Sequence, residues 1–411
     1  MLRGGVLSGC GSLLRAWASR LEKCGTTDTT QRFLHQAFQT KSCFNATRGA
    51  SKAKESSCIL VFRQLSSTSA SSSGAQNLAS SPRELLKVFK QLSKARLSAL
   101  VVASAAAGYV AGSGESVDWA KLGWTSLGTF ACAASANTLN QVYEVENDRK
   151  MKRTCKRPLP LGKITRQNAL IWAAGAGLVG FWCLYSNTNL TTAGLGVANI
   201  VLYAGIYTPL KQVSMWNTWV GALVGAVPPL MGWAAASGEV EPGSVVLASA
   251  LHFWQLPHFL SLAWICKEDY SKGGYRMLSL MDKTGKRTAA CALRNCIYLL
   301  PLGFLAEYYN VATSEFTYVS AALTTVMACS ALVFYINPSL ETARTLFRAS
   351  LFHLPLYMGS LLMHRIPRGG EAKQIEKTEQ EKKAFMPPFP FLPIPERSSP
   401  YYGTSGSEVK R

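Results

Sequence analysis

Long apolar stretches dominate residues 97–363, and polar residues are concentrated in the segments that connect them. Nine of these stretches approach the roughly 20 residues that an α-helix needs to cross a bilayer. They centre on Ala105, Phe130, Ala176, Ala198, Val224, Trp254, Leu299, Thr325 and Pro355. Because a backbone inside a bilayer must satisfy its own hydrogen bonds, the pattern predicts an all-α, polytopic membrane bundle of about nine transmembrane helices.

Small residues recur at close spacing inside two of the apolar stretches. They are Gly175, Gly177 and Gly180 in one stretch, and Gly194 and Gly196 in the next. Small side chains let membrane helices approach one another closely, so we expect helix contacts at these positions.

The two ends of the chain differ in composition from the apolar region. Residues 1–80 carry ten Lys and Arg against three Asp and Glu, and they are rich in serine. Such a leader is typical of a mitochondrial transit peptide, with a disordered cytosolic tail as the alternative. Residues 81–366 would form the intramembrane domain. Residues 367–411 form a mixed-charge, then proline-rich tail that we expect to be disordered.

Charge and cysteine content narrow the class of protein further. The net charge of +20 comes from the leader and from short connections between apolar stretches, which argues against nucleic acid as a partner. The eleven cysteines include no CxxC pair, so neither a zinc site nor a disulfide framework is indicated. Basic residues gather in the connections 149–166 and 267–287, and the positive-inside rule places both on the inner side of the membrane.

The end of the second apolar stretch carries the strongest chemical signal. Asn140, Glu144 and Asp148 are four residues apart, which puts them on one face of a helix with Asn137 at its edge. Carboxylate and amide oxygens suit a hard cation, and the Lys and Arg residues that follow suit phosphate oxygens. The alternative is mixed charge that is merely solvated at the interface. Carboxylates at the C-terminal end of a helix are disfavoured unless a cation offsets them, which favours a metal.

Two further polar segments emerge on the same membrane face by helix parity. The sixth apolar stretch contains His258 after Pro257, which can break the regularity of the helix, and Asp269 follows its end. An intramembrane histidine is a functional candidate, with a hydrogen-bonded structural histidine as the alternative. The connection 207–212 contributes Lys211, either an interfacial anchor or part of a phosphate-binding rim.

These residues together resemble a known family. The spacing Asn140-xxx-Glu144-xxx-Asp148, followed by Arg153, Arg157, Pro158 and Leu159, is similar to the first signature of the UbiA-type intramembrane prenyltransferases. Residues 207–211, residues 254–259 and the pair Asp269-Tyr270 resemble the branch that farnesylates protoheme IX. The resemblance covers residues 97–364. The chain departs from the broader family at Glu144 and His258, where Asp is usual, and from the branch at Gln212, where Arg is common.

The resemblance implies a fold and a set of site residues. The fold is a helical bundle around a central cavity that opens to lipid. Asn140, Glu144, Asp148 and Asp269 would hold Mg²⁺, and Arg153, Arg157 and Lys211 would bind diphosphate. His258, Asn137 and Asn140 would act in catalysis. Tyr203, Trp233, Trp254 and Trp264 are expected to line a water-poor pocket.

The resemblance also implies a reaction and a location. The substrates would be farnesyl diphosphate and heme B, and the product heme O, which feeds heme A and cytochrome c oxidase assembly. The location would be the mitochondrial inner membrane, with the active-site loops facing the matrix. Association with the next heme-modifying enzyme, or with a second copy, is a further expectation. A phenol-accepting polyprenyltransferase is the nearest alternative, and a transporter is the non-enzyme alternative.

Overall fold

The computed structural model describes residues 82–368, so the leader and residues 369–411 of the tail lie outside the described residues. Within that range the chain is helical and forms no β-strand. In chain order the helices are α1 (Pro82–Leu92), α2 (Ala95–Ala111), α3 (Trp119–Tyr143), α4 (Val145–Lys150), α5 (Arg166–Asn187), α6 (Leu190–Ile200), a π-helix (Val201–Tyr207), α7 (Thr208–Val213), α8 (Asn217–Ser237), α9 (Pro242–Ile265), α10 (Lys267–Lys272), α11 (Leu278–Met281), α12 (Lys286–Leu299), α13 (Leu302–Tyr308), α14 (Ser314–Ile336) and α15 (Leu340–Met363).

The predicted all-α membrane fold is confirmed, whereas the count of nine spans stays a prediction. Among residues 82–368, six segments are long and apolar enough to cross a membrane: α5, α6 through α7, α8, α9, α12 through α13, and α14. Helix α2 is apolar but has only 17 residues. Helix α3 is long enough, but its C-terminal half buries several polar side chains. Several of those side chains belong to the site described below. Polar site residues therefore stand where a membrane helix usually has apolar ones, and they lower its mean hydropathy.

Many helices that are adjacent in sequence pack against one another, and α8 and α9 each contact several other helices. Helix α8 contacts α2, α6 and α9, while α9 contacts α8, α12 and α15. The last helix, α15, returns to contact α2. Arg365, just after α15, donates hydrogen bonds to the carbonyls of Val110, Ser113 and Gly114 at the C-terminal end of α2. This contact adds hydrogen bonds to carbonyls at and just beyond the end of α2, and it joins the first long helix to the last.

The predicted close approach at small residues is confirmed at some positions and wrong at others. A Cβ on Gly180 would lie 2.6 Å from the sulfur of Cys132, and one on Gly177 3.0 Å from the hydroxyl of Ser135. Gly196 is similarly close to Leu184, at 3.1 Å. Gly175 and Gly194 have nothing within 4 Å of that position, because they face away from the neighbouring helices.

The tightest approach joins α2 and α8, and it provides a stability test. A Cβ on Gly232 would lie 1.8 Å from the carbonyl oxygen of Ala105, so Gly232→Ala must push the two helices apart. We expect a loss of about 1–3 kcal/mol or more in the free energy of unfolding, measured by thermal unfolding in detergent. The matched control is Gly175→Ala, which makes the same change in an open position and should leave the melting temperature unchanged or slightly raised. Equal effects of the two substitutions would contradict this account of the interface.

One local expectation from the sequence is wrong. Helix α9 continues through Pro257 to Ile265, so no interruption marks that proline. Residues 208–213 form helix α7, which continues directly from the π-helix before them. A π-helical segment is rare and often accompanies a functional site.

Candidate active site

The motif at the end of α3 forms one continuous polar face. The backbone amide of Glu144 donates to the carbonyl of Asn140 at 3.0 Å, and that of Asp148 donates to the carbonyl of Glu144 at 2.8 Å. Helical bonding therefore continues across the junction between α3 and α4, and the three side chains share a face as their spacing predicts. All three are buried, with 0%, 3% and 1% of their surfaces exposed.

Each of the two buried carboxylates in the motif faces a base from another segment. Arg157, in the connection between α4 and α5, places Nη1 2.7 Å from Oδ2 of Asp148. Lys211 of α7 places Nζ 3.0 Å from Oε1 of Glu144. The Lys211 ammonium also lies 4.4 Å from the ring centre of Tyr207. Buried ions of opposite sign need this degree of pairing to offset the loss of water.

Burial perturbs the titratable groups around the motif. It raises the pKa of Asp148, and the nearby charge and hydrogen bond of Arg157 oppose the increase. Burial also raises the pKa of Tyr275, in the connection between α10 and α11, and the negative charge of Glu144 raises it further. Tyr275 lies beside Lys211, with 6.0 Å between the ammonium and the ring centre. This connection therefore reaches the acid–base cluster formed by Glu144, Asp148, Arg157 and Lys211.

The two asparagines of α3 tie this cluster to three other segments. Asn140 donates from Nδ2 to Oγ1 of Thr208 at 3.0 Å. Asn137 donates to the hydroxyl of Ser98 on α2 at 3.1 Å and accepts from the hydroxyl of Tyr203 at 3.2 Å. Tyr203 belongs to the π-helix, so the irregular turn brings a polar group to the motif.

Lys94 also belongs to this site, and the sequence reasoning missed it. Its ammonium donates to Oδ1 of Asn140 at 2.7 Å and to the hydroxyl of Tyr203 at 3.3 Å. Burial, together with the positive charges of Arg157 and Lys211, lowers the pKa of Lys94 to about 7. Helix parity could have indicated this contact. Lys94 precedes the first apolar stretch and the motif follows the second, so both lie on the same membrane face.

Arg153 and Asp269 meet at the edge of the site. The backbone amide of Arg153 lies 3.4 Å from Oδ2 of Asp269. The guanidinium lies 3.5 Å from the hydroxyl of Tyr270 and 5.8 Å from the centre of its ring. Arg153 is exposed and Asp269 half-buried, so these residues form a rim around the buried cluster.

Gln212 has a structural contact where the resembling branch commonly has arginine. It donates to Oδ1 of Asn147 at 3.0 Å, and Asn147 donates to the carbonyl of Gly273 at 2.7 Å. The two amides thus link α7, α4 and the connection after α10. These are three of the segments that carry the acid–base cluster and its rim.

The contacts of His258 are with α9 and α15. Its ring stacks between Trp254 and Phe347, with centroid distances of 5.0 and 4.8 Å, and Nδ1 is 2.9 Å from the hydroxyl of Ser350. That hydroxyl donates its own proton to the carbonyl of Phe347. In the tautomer that satisfies both contacts, Nδ1 carries the proton that is donated to Ser350, and Nε2 is unprotonated. The contacts that the structure describes for His258 include none with Asn140, Glu144 or Asp148.

The predicted aromatic pocket stays a prediction, and its four residues make different contacts. Trp233 donates to Glu241 at the far end of α8, and Trp254 donates to the carbonyl of Ser350. Trp264 packs beside Phe334 and under the ammonium of Lys267. Of the four predicted aromatic residues, Tyr203 is the one that contacts the cluster. The sequence places tryptophans on helices but does not say which face turns inward.

The donor atoms of the motif are chemically suited to a divalent cation. Among residues 82–368, no group of three Asp, Glu, His or Cys side chains gathers in one place, and each motif carboxylate faces a base instead. The side-chain donors on the shared face are nevertheless carboxylate and amide oxygens of Asn140, Glu144 and Asp148, which are the ligands Mg²⁺ prefers. Bases that face carboxylates here can instead face phosphate oxygens when an anionic ligand enters.

Comparison with known proteins agrees with this arrangement. Residues 101–355 match the UbiA prenyltransferase family. The chain belongs to this family. It is 48% identical over 336 residues to the mitochondrial protoheme IX farnesyltransferase of Arabidopsis thaliana, covering 76% of this chain and 78% of the relative. It is 40% identical over 287 residues to the protein of that name from Homo sapiens, covering 70% of this chain and 64% of the relative.

A solved structure shares the fold of this UbiA-family chain. The structure of a digeranylgeranylglyceryl phosphate synthase superposes with a TM-score of 0.60 at 18% sequence identity. The match covers 68% of this chain and 98% of the other. The arrangement of helices is thus that of a UbiA-type bundle.

Proposed function

We propose that this chain transfers the farnesyl group of farnesyl diphosphate to a vinyl group of protoheme IX (heme B), giving heme O. The observation that carries the proposal is the buried cluster at the end of α3, where two carboxylates, two asparagines and two bases converge. The names of its relatives in Arabidopsis and Homo sapiens supply the donor and the acceptor. The chain spans 78% and 64% of those relatives.

The reaction requires a leaving group with neutralised charge. The bond between farnesyl C1 and the diphosphate oxygen breaks, and the electron pair leaves with diphosphate. A vinyl carbon of heme B forms the new bond to C1, water adds its oxygen to the neighbouring vinyl carbon, and a proton is released. Arg157 and Lys211 stabilise the negative charge that develops on the diphosphate, and Arg153 reaches it from the rim.

Asn140, Glu144 and Asp148 would hold Mg²⁺, with Asp269 approaching from the rim. When bound, the metal would supply additional charge neutralisation to the diphosphate. Its absence from an assay should therefore reduce donor binding as well as turnover. The amide of Asn137, held by Ser98 and Tyr203, keeps the neighbouring face of α3 in place.

His258 is the residue we assign to the heme acceptor. Its ring lies in an aromatic stack between α9 and α15, and its Nε2 lone pair suits either proton acceptance or a bond to heme iron. Because His258 contacts α15 and not α3, the acceptor and the diphosphate would be held by different parts of the bundle. We place the protein in the mitochondrial inner membrane with connections 149–166 and 267–287 in the matrix. Labelling of single cysteines in these connections in mitoplasts tests that orientation.

An assay on the purified full chain in detergent tests the reaction. Farnesyl diphosphate, MgCl₂ and heme B are supplied, and heme O is detected by mass spectrometry. Product formation that depends on all three supports the proposal. No heme O from a folded preparation would overturn it, and farnesylation of an added 4-hydroxybenzoate in its place would assign the chain to the phenol-accepting enzymes.

A further inference from the structure

We propose that Lys94 is a further ligand of the donor diphosphate, held in position by Gln141. The inference rests on the proposed function and extends its anion-binding site to the junction between α1 and α2. Lys94 already contacts Asn140 and Tyr203, so its ammonium lies at the inner edge of the motif. The observations that support this role are the backbone conformation at Lys94, the contacts that hold the junction, and the charge of the site.

The backbone at Lys94 is strained. Its φ of 44° and ψ of 51° lie in the left-handed region. Among residues 82–368, Lys94 and Asn310 are the two non-glycine residues with positive φ. This conformation is unfavourable for a lysine, because the Cβ atom comes close to the following carbonyl oxygen. Glycine would adopt it freely. Strain of this kind persists where surrounding contacts hold it, and it is concentrated at functional sites.

Gln141 supplies those contacts from the residue next to Asn140. Its fully buried amide donates to the carbonyls of Gln91 and Leu92 at 3.1 and 2.7 Å, which are the last residues of α1. On the other side of Lys94, the hydroxyl of Ser98 donates to the carbonyl of Ser93 at 2.7 Å. Helix α3 thus holds the junction in two ways. Gln141 bonds to it directly, and Asn137 bonds to Ser98, which in turn bonds to Ser93. The same helix that carries the motif directs the Lys94 side chain at it.

The charge of the site favours an anion as the missing partner. Glu144 and Asp148 pair with Lys211 and Arg157, so these four charges balance, and Lys94 adds a third positive charge whenever it is protonated. An excess of buried positive charge is unfavourable without an anion, and a bound divalent cation would increase the excess. A purely structural hydrogen bond to Asn140 would not require a charged group. A diphosphate supplies the needed charge and accepts several hydrogen bonds from cations.

Binding of inorganic diphosphate in the presence of MgCl₂ tests the inference, measured by calorimetry on the full chain in detergent. Lys94→Met and Lys94→Gly should each weaken binding about 10- to 100-fold, the effect of losing one charge-assisted hydrogen bond. Lys94→Arg should retain part of the affinity. The matched control is Lys90→Met on α1, an exposed lysine four residues earlier, which should bind as the wild type does. The KM for farnesyl diphosphate should rise with Lys94→Gly.

Lys94→Gly also separates a binding role from a structural one. Because glycine accepts positive φ, this variant should keep the melting temperature of the wild type while it loses affinity. Adding Gln141→Leu to Lys94→Gly should cause no further loss of affinity, although Gln141→Leu alone should weaken binding. Wild-type affinity in Lys94→Gly would overturn the inference, and a lower melting temperature beside it would assign Lys94 a purely structural role. If the wild type itself neither binds diphosphate nor makes heme O, the proposed function fails instead.

Discussion

Replacing Asp148 by asparagine is expected to lower the rate of heme O formation by about 10²- to 10³-fold, the usual loss when one preorganised electrostatic group is removed. Asp148 is 1% exposed and pairs with Arg157 at 2.7 Å. The substitution leaves shape and polarity nearly unchanged but removes the charge that holds Arg157 in place. It also removes one of the oxygen donors proposed for Mg²⁺. Turnover with saturating farnesyl diphosphate, measured by mass spectrometry, gives the result.

Glu146→Gln is the matched control for this substitution. Glu146 lies on the same short helix, and its side chain is 60% exposed and pairs with Arg149 and Arg166 on the surface. Exposed pairs contribute little, about 0–1 kcal/mol, so turnover should stay near the wild-type value. Equal losses in Asp148→Asn and Glu146→Gln would mean that α4 has only a general structural role. A nearly active Asp148→Asn would remove this carboxylate from the proposed machinery.

The part of the site that follows helical spacing could be predicted from the sequence. Asn140, Glu144 and Asp148 share a face because four residues nearly complete a helical turn, whatever surrounds the helix. The predicted bases Arg157 and Lys211 do meet these carboxylates. Charge alternation between connections had indicated that their segments emerge on the same side. Local periodicity and helix parity are therefore enough to predict the shared face and the bases that lie near it.

Contacts that depend on which face of a helix turns inward could not be predicted. His258, Trp254 and Trp264 lie on a helix that is apolar on all sides, so the sequence gives no preferred face, and packing against α15 and α14 decides it. Lys94 is one of several basic residues around α1, and its backbone conformation singles it out. The π-helix that positions Tyr203 could not be predicted either, because an extra residue in one turn leaves the apolar pattern of the sequence almost unchanged.

The Glu144–Lys211 pair gives the second large effect. Glu144 is 3% exposed, and the two charged groups lie 3.0 Å apart. Lys211→Met or Glu144→Gln alone leaves a buried charge without its partner, which should cost about 3–5 kcal/mol in the free energy of unfolding. Either change should also lower turnover by about 10²-fold or more, since one removes a diphosphate ligand and the other a metal ligand. Lys272→Met, at an exposed lysine of α10, is the control for a lost positive charge.

The double variant Glu144→Gln with Lys211→Met separates stability from chemistry. Removing both charges leaves no buried ion without a partner, so the melting temperature should recover much of what each single variant loses. Turnover should not recover, because the groups proposed to bind metal and diphosphate are both gone. Thermal unfolding and heme O formation measured on the same preparations give the two answers. If turnover returned together with the melting temperature, the pair would hold α3 and α7 together without taking part in farnesyl transfer.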